Sequence, residues 1–404
     1  MPTFEEARKI ILDCVVPLGV EKVEMLDAVG RVLAEDIQAP WDMPLWDNTA
    51  MDGYAVHSKD CGEAASLKLS GFLPAGGFMS HPMQAGTAVK ILTGAPIPAG
   101  ADAVVPFEQA EERDETVFLK GKVKPGDHIR FKGEDVKEGE TILSAGTVLR
   151  PSEISMLASF GRLFIPVHRR VRVAILSTGD ELVDPGEALA PGKIINSNSL
   201  ALAAAVRETG CLPIMLGIAR DTKDSLREKL AEGLTADVLI TSAGVSAGDR
   251  DYVRDVLDEL MVKQVFWKVD IKPGRPTAFA RRDGKPVFSL PGNPVSSLIT
   301  FEEFVRPALL KMMGFRKVLR PLVTATLREG IKKKPGRVNF LRVAVEEKDG
   351  HYFAWSPGKQ DTGYLRTLLL ADGIAVITAE KGDLAAGEQV DVQIIAGDGG
   401  LMEA

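Results

Sequence analysis

The chain has 404 residues, of which 45% are hydrophobic and 26% charged, and carries a net charge of −7. This composition supports ordinary buried cores and excludes the disordered and membrane-embedded classes, while the length points to about two or three domains. The acidic balance argues against general nucleic-acid binding, so any basic cluster is a local feature.

Cys14, Cys61 and Cys211 are far apart with no CxxC spacing, and an odd, sparse set fits a reducing cytoplasm better than a disulfide framework. The MPTFEEARKI start has no apolar signal region, and no apolar run is long enough to span a bilayer. The expectation is a soluble, cytoplasmic protein with no membrane partner. His57, His81, His128, His168 and His351 are scattered without HExxH or HxH spacing, which argues against zinc. Neither a GxxxxGKS/T loop nor a GxGxxG fingerprint occurs, so a nucleotide would need other means of binding.

In chain order, Phe4, Ala7, Ile10, Ile11 and Val15 recur at helical spacing, and Asp27 can cap a second short helix running through Val32 and Leu33. Pro40 and Pro44 then mark a boundary. From about Trp46 to Asp135 short β-rich runs alternate with Gly and Pro, and a helical stretch follows over Pro151–Phe160. From Val171 the pattern becomes strand, helix, strand. Strands are expected over Val171–Leu176, Pro213–Ile218 and Asp237–Thr241, with helices over Ser199–Glu208, Lys223–Leu234 and Tyr252–Leu260. Such alternation predicts an α/β layer fold with its site at the strand C-termini. Thr277–Leu290 reads as a hairpin turning at Asp283-Gly284, and a helix follows from Pro294 to Met313. Beyond Pro321 the sequence is strand-rich, with turns at Asp349-Gly350 and Asp372-Gly373, and predicts a small β domain.

The segment Leu290–Ser297, LPGNPVSS, is the most informative. Asn293 is placed as N-cap, Pro294 as first helical residue and Ser296 in the first turn, while Pro291 and Gly292 shape the approach. Such a helix start presents free N–H groups to a small oxyanion. A well-capped helix after a turn explains the same residues equally well. Just upstream, Lys268, Asp270 and Lys272 alternate with apolar residues as on a half-exposed strand, and the Pro273–Pro276 turn adds Arg275. Ser177-Thr178-Gly179-Asp180-Glu181 follows the first strand: its hydroxyls suit an anion and its acids a hard cation. Asp221 follows the second strand. Ser242, Gly244, Ser246, Asp249 and Asp251 follow the third, where helix capping alone accounts for one of the aspartates. Carboxylates at successive strand ends of one sheet converge in space, and capping does not predict that. Carboxylates for Mg²⁺ beside Lys and Arg for oxyanions fit phosphoryl-type chemistry. In the β-rich segment, the turns at 47–55, 93–102 and 130–135 carry Asp52, Thr93, Arg130 and Asp135, which suggests loops offered to a ligand or to a neighbouring subunit.

Taken together, DNTAMDGYA, LTGAPIPAGADAV, GED, STGDEL, INSNS, GVSAGDRDYV, KPGRP and LPGNPVS occur in the order found in the MoeA/gephyrin family, and the chain resembles that family from about Pro2 to its C-terminus. The resemblance implies a molybdopterin molybdenumtransferase. Such an enzyme inserts molybdenum from molybdate into adenylylated molybdopterin, releases AMP in a Mg²⁺-dependent step and works downstream of a molybdopterin adenylyltransferase. It also implies a homodimer whose clefts use loops from both subunits. The implied subunit is a multidomain α/β chain: a linker domain at 1–40 with 138–168, a β-rich insertion at 41–137, a three-layer α/β molybdopterin-binding domain at 169–319, and a C-terminal β-barrel-like domain at 320–404.

By motif, Asp52, Thr93, Asp135, Glu181, Asp221 and Asp251 match functional acidic and hydroxyl positions, and Glu181, Asp221 and Asp251 the Mg²⁺ set. Lys268, Lys272, Arg275, Pro291, Asn293 and Ser296 match the molybdate region. Arg130 matches a basic position near the cleft, and Ser177, Thr178, Ser242, Gly244 and Ser246 fall in the loops offered to substrate. Trp46 stands where Phe is common, Ala243 where the family has Gly, and Arg275 where it has Lys. An alanine at 243 would restrict the backbone if a positive φ were needed there. Two other activities fit parts of this pattern: the adenylyltransferase that shares the α/β domain, and a non-catalytic scaffold of the same fold.

Overall fold

The computed structural model describes residues 1–62, 64–243 and 252–395. The chain divides into two compact units, Val23–Ile165 and Met1–Lys22 with Pro166–Ala404.

In the Val23–Ile165 unit, six strands form one sheet in the order Ala103–Pro106, Gly53–Val56, Thr87–Ile91, Ser66–Leu73, Thr116–Leu119, Ala110–Arg113. Alternate residues feed two cores: Tyr54, Val56 and Val105 pack on one face, Ala55, Val89 and Val104 on the other. The short helix expected from Asp27 to Leu33 is absent. Only a single turn, Leu26–Ala28, forms; Gly30 then adopts φ +74° and Val32 makes a β-bridge to Val148. β-Branched Val29 and Val32 around a glycine give a helix no means to propagate.

The larger unit opens with helix α1 (Phe4–Cys14), started by a capping box in which Thr3 and Glu6 satisfy each other's backbone, while α2 (Pro151–Ser159) belongs to the smaller unit. Its α/β sheet contains β1 (Arg172–Thr178), β2 (Leu212–Ala219), β3 (Val238–Ser242), β4 (Lys263–Phe266), β5 (Ala278–Arg282) and β6 (Lys285–Leu290), ordered β2-β1-β3-β6-β5-β4. The first four in that order are parallel; β5 runs antiparallel to both its neighbours, β6 and β4. Val173 and Ile175 point to one core with Leu202 and Val206 of α3 (Ser197–Glu208) and with Val295 and Ile299 of α6 (Pro294–Thr300). Ala174 and Leu176 point to the other, with α4 (Lys223–Gly233) and α5 (Tyr252–Glu259). Helices on both faces of a mainly parallel sheet make the three-layer arrangement. The β5–β6 hairpin turns where expected, with Asp283 at φ +51° and Gly284 at +79°.

Two expectations are corrected here. The segment from Val265 to Lys272 is not one alternating strand: β4 stops at Phe266, and only Ile271–Lys272 returns to extended pairing, against Val338–Asn339 of the C-terminal sheet. Between them the chain turns tightly, Ile271 N–H donating to the Val269 carbonyl and Val269 N–H to that of Arg275. The helix over Pro294–Met313 is interrupted by a π-turn at Phe301–Val305 before α7 (Arg306–Met312). Pro307 has no N–H for the Glu303 carbonyl and its ring crowds that oxygen, so the turn widens.

Beyond α7, β7 (Leu322–Leu327), β8 (Val338–Lys348), β9 (His351–Trp355), β10 (Gly373–Ile377) and β11 (Gln389–Ile394) pair in the order β8-β9-β7-β11-β10 and close through β10 back onto β8, a five-strand barrel around Ala325, Val343, Ala354, Ala375 and Val392. Asp349-Gly350 is a hairpin turn with both φ values positive. Asp372 instead leads into β10, its carboxylate accepting from the Val345 N–H at 2.9 Å.

Candidate functional site

The parallel strands end in register. Ser177 lies opposite Ser242, Thr178 opposite Ala219, and Ser242 opposite Leu290. The loops leaving β1, β2, β3 and β6 therefore leave the same edge of the sheet. Ser177, Thr178 and Ser242 are all at most 2% exposed, so their hydroxyls are held in the protein body. After β6, Asn293 caps α6: its Oδ1 accepts from Val295 N–H at 3.1 Å and Ser296 N–H at 3.4 Å, and Pro294 follows as first helical residue. This is the local geometry the LPGNPVSS segment predicts.

The KPGRP turn packs against that helix. Gly274, at φ +100°, has so little room that a Cβ there would lie 2.3 Å from Cγ2 of Thr300 at the end of α6. Lys268, Lys272 and Arg275 are exposed around this turn. Lys272 also borders a cavity of about 1340 Å³ that reaches the barrel and is lined by Lys332, Lys334, Arg337, Arg342 and Lys359. In the sequence these cations carry only a weak signal. The KKKPGR run at 332–337 was the available signal, but a lysine run reads most simply as a solvated surface. Arg342 differs in being fully buried, donating to Thr367 Oγ1 at 2.8 Å and to the Lys359 and Asp361 carbonyls at 3.2 Å.

On the acidic side, Asp180 and Asp221 bond reciprocally. Asp221 N–H donates to Asp180 Oδ1 at 3.2 Å, and Asp180 N–H to Asp221 Oδ2 at 3.3 Å. Each thereby spends one carboxylate oxygen. The Glu181 carboxylate folds back over Gly179, where a Cβ would sit 2.4 Å from Oε2; Gly179, at φ +141°, leaves that space open. Asp180, Glu181 and Asp221 supply the hard oxygen donors that suit Mg²⁺. Among the described residues no group of three or more His, Cys, Asp or Glu side chains is arranged to hold a metal ion. Asp251, together with Gly244, Ser246 and Asp249, lies outside the described residues.

Ala243 has φ +73°. The position does use the left-handed region, and alanine occupies it at a cost. A Cβ on Gly292 would come 3.1 Å from that of Ala243, so the loops after β3 and β6 touch here.

Asn196 and Asn198 are two further polar residues at the strand ends that the sequence does not mark as functional. Asn196 caps α3 and accepts from Ser177 Oγ at 2.8 Å. Asn198 Nδ2 donates to Ser242 Oγ and to the Gly292 carbonyl, both at 2.8 Å. The INSNS motif contained both, but an asparagine pair at a helix start reads as capping.

Within the Val23–Ile165 unit the three polar turns meet. Thr49 N–H donates to the Ala95 carbonyl, Gly94 N–H to that of Thr49, and Ala50 N–H to that of His128. Arg130 pairs with Asn48, and Lys132 N–H donates to Asp47 Oδ1 at 2.7 Å. Asp52 Oδ1 accepts from both the N–H and the hydroxyl of Thr93 at 2.7 Å. The backbone bond first, then the hydroxyl bond, holds the Asp52 carboxyl below the usual carboxylate range. Asp135 and Arg130 are exposed on the third turn.

The cysteines are unpaired thiols, and burial pushes Cys61 and Cys211 up to about 11, which leaves them poor nucleophiles near neutrality. No described helix is long and apolar enough to cross a membrane.

A mainly parallel sheet covered on both faces, with hydroxyls, acids and a capped helix start at its strand C-termini and a barrel appended, defines a multidomain α/β protein of the class whose polar groups gather at the strand C-termini. Three family profiles match in succession: the MoeA N-terminal region (domains I and II) over residues 2–161, a probable molybdopterin binding domain over 174–311 and the MoeA C-terminal region (domain IV) over 324–395. The chain is 36% identical to molybdopterin molybdenumtransferase 2 of Mycobacterium tuberculosis H37Rv, covering 97% of this chain and 99% of that one. It is also 36% identical to the molybdopterin molybdenumtransferase of Haemophilus influenzae, with 97% and 98% covered. The crystal structure of a molybdopterin biosynthesis MoeA protein from Pyrococcus horikoshii superposes with a TM-score of 0.86 at 32% identity, covering 98% of this chain and 99% of that one. The chain belongs to the MoeA/gephyrin family of molybdopterin molybdenumtransferases.

Proposed function

We propose that this protein inserts molybdenum from molybdate into adenylylated molybdopterin, releasing AMP in a Mg²⁺-dependent step. The observation that carries this reading is the convergence of four strand-end loops on one sheet edge, with the cationic KPGRP turn packed on the helix that starts there. Lys268, Lys272, Arg275 and Ser296, with the Pro291–Asn293 turn, hold molybdate by charge, by the Ser296 hydroxyl and by the positive end of the helix dipole, since Asn293 Oδ1 already takes the Val295 and Ser296 N–H groups. Ser177, Thr178 and Ser242, with Gly244 and Ser246, hold the adenylylated pterin. The cavity running from Lys272 toward the barrel gives a multiply anionic substrate a basic wall. Glu181, Asp221 and Asp251 would hold Mg²⁺, which when bound supplies positive charge against the phosphate. Arg130, Asp52, Thr93 and Asp135 act from the insertion unit of a second copy in a homodimer. Rate enhancement comes from positioning and charge neutralisation, with no covalent protein intermediate.

The four-domain division at 1–40 with 138–168, 41–137, 169–319 and 320–404, and a cytoplasmic setting downstream of a molybdopterin adenylyltransferase, belong to the same reading. The test mixes purified protein, adenylylated molybdopterin and Mg²⁺ with and without molybdate. Molybdate-dependent AMP release is expected. ATP consumption without molybdate would assign the chain to adenylylation instead, and no turnover together with partner-protein binding would mark a scaffold.

A further inference from the structure

Among the polar groups at the strand ends, Asn198 stands out because helix capping does not need it. Asn196 already caps α3, its Oδ1 accepting from Ser199 N–H at 3.4 Å and from Ser177 Oγ at 2.8 Å. Asn198 is the second residue of that helix, yet its Nδ2 reaches across two other elements, to Ser242 Oγ at the end of β3 and to the Gly292 carbonyl between β6 and α6. The amide orientation follows from the partners. A carbonyl oxygen only accepts, so the atom facing Gly292 is the NH₂, and Ser242 Oγ receives the second hydrogen.

Proton bookkeeping then separates the two serines. Ser177 Oγ spends its hydrogen on Asn196 Oδ1 and keeps only lone pairs. Ser242 Oγ accepts from Asn198 and keeps its hydrogen, with no acceptor for it among the described residues; the side chain is 2% exposed. A buried hydroxyl left with a hydrogen to donate is a costly arrangement unless a ligand acceptor receives it. Asn198 Oδ1 and Asn196 Nδ2 are likewise buried without partners among the described residues, as expected of a polar layer completed by something that binds over it.

Resting on the function proposed above, we infer that Asn198 is a positioning residue for the transferase reaction: it fixes Ser242 as a hydrogen-bond donor toward an acceptor oxygen of the substrate and clamps the β3 loop to the Gly292 turn. Ser177, by the same accounting, is an acceptor that meets a substrate N–H or a cation.

The test is a double-mutant cycle read as affinity for adenylylated molybdopterin, with kcat measured separately. Asn198→Asp keeps the shape but sets a carboxylate against the Gly292 carbonyl and captures the Ser242 hydrogen. Ser242→Ala removes the hydroxyl. Each is expected to weaken substrate binding about tenfold, the usual cost of one buried hydrogen bond, with a smaller change in kcat. In the Ser242→Ala background, Asn198→Asp should cost clearly less than in the parent, the remainder being its carboxylate set against the Gly292 carbonyl. A full additional tenfold loss there would overturn the inference, because Asn198 would then act through something other than Ser242. Should Asn198→Asp fail to fold, a crystal of the parent with adenylylated molybdopterin decides: Ser242 Oγ on a substrate acceptor supports the inference, and its facing a substrate N–H or nothing overturns it. A parent protein that binds no adenylylated molybdopterin overturns the functional reading itself and the inference with it, an outcome distinct from additivity in a protein that binds.

Discussion

Asp52 is held ionised by two bonds from a single residue, and those bonds have different fates under mutation. Thr93→Val removes the hydroxyl and leaves the backbone N–H, which is the larger cause of the lowered pKa. The Asp52 pKa should therefore rise only part of the way to its ordinary value, as a carboxyl-carbon NMR titration would read; no rise would show the hydroxyl bond to be idle in solution. Lys272 sits where the cationic turn, α6 and the basic cavity meet. Lys272→Ala should weaken molybdate binding at least tenfold (on the order of a charge-assisted hydrogen bond) by calorimetry, with thermal stability unchanged because the side chain is exposed. Ala243 makes the opposite kind of prediction. Its φ of +73° is one that glycine takes freely, so Ala243→Gly should stabilise the fold by about 1 kcal/mol, seen as a raised Tm. At this scale the sequence was legible where a residue has one local job. Asn293 and Pro294 announced a helix start by type and order, and the helix starts there. Asn198 was not legible, because its partners Ser242 and Gly292 are 44 and 94 residues away and nothing local marks the bonds.

The element that departs most from its pattern is the helix after LPGNPVSS. Its π-turn carries Glu303, which is 2% exposed and lies 3.9 Å from Arg8 of α1 while accepting from Gln393 of β11. Burial outweighs these partners and pushes the Glu303 carboxyl up to about 7. The folded chain then binds this proton more tightly than the unfolded chain between the ordinary value of 4.5 and about 7. Stability from this group is complete below that window and is lost as pH rises through it. Glu303→Gln should flatten the decline and, at pH 8, raise stability by on the order of 1–3 kcal/mol, measured as Tm against pH. A parallel decline in parent and variant would contradict it. Elements with a strong period and clear punctuation were read from the sequence: α1, the β1-α3-β2 alternation and the Asp283-Gly284 hairpin. The Val265–Lys272 segment was misread because its polar-apolar alternation is produced by a turn and two separate sheets, and period two cannot tell these from one strand. The helix expected after Asp27 failed for the converse reason: a capping residue was present, but Gly30 and β-branched neighbours could not sustain what it would start.

For the whole molecule, the ordered motifs made the family and its multidomain α/β fold class legible before any coordinates, whereas barrel closure was not, since the β10–β8 pairing that closes it depends on register that no motif encodes. The proposed homodimer, with insertion loops serving a second copy's cleft, predicts complementation. Asp52→Asn and Lys272→Ala subunits, each inactive alone, should regain up to about a quarter of parental activity when mixed and allowed to exchange, because half of the dimers are mixed and each has one intact site. In the proposed function, strand-end hydroxyls, acids and the cationic turn on α6 form one centre for an oxyanion and an adenylylated pterin. Its most direct test is AMP release from adenylylated molybdopterin by the purified protein with Mg²⁺, measured as molybdate is titrated. Release should saturate with molybdate and be lost in Lys272→Ala; release independent of molybdate, or none at any concentration, would rule out such a centre.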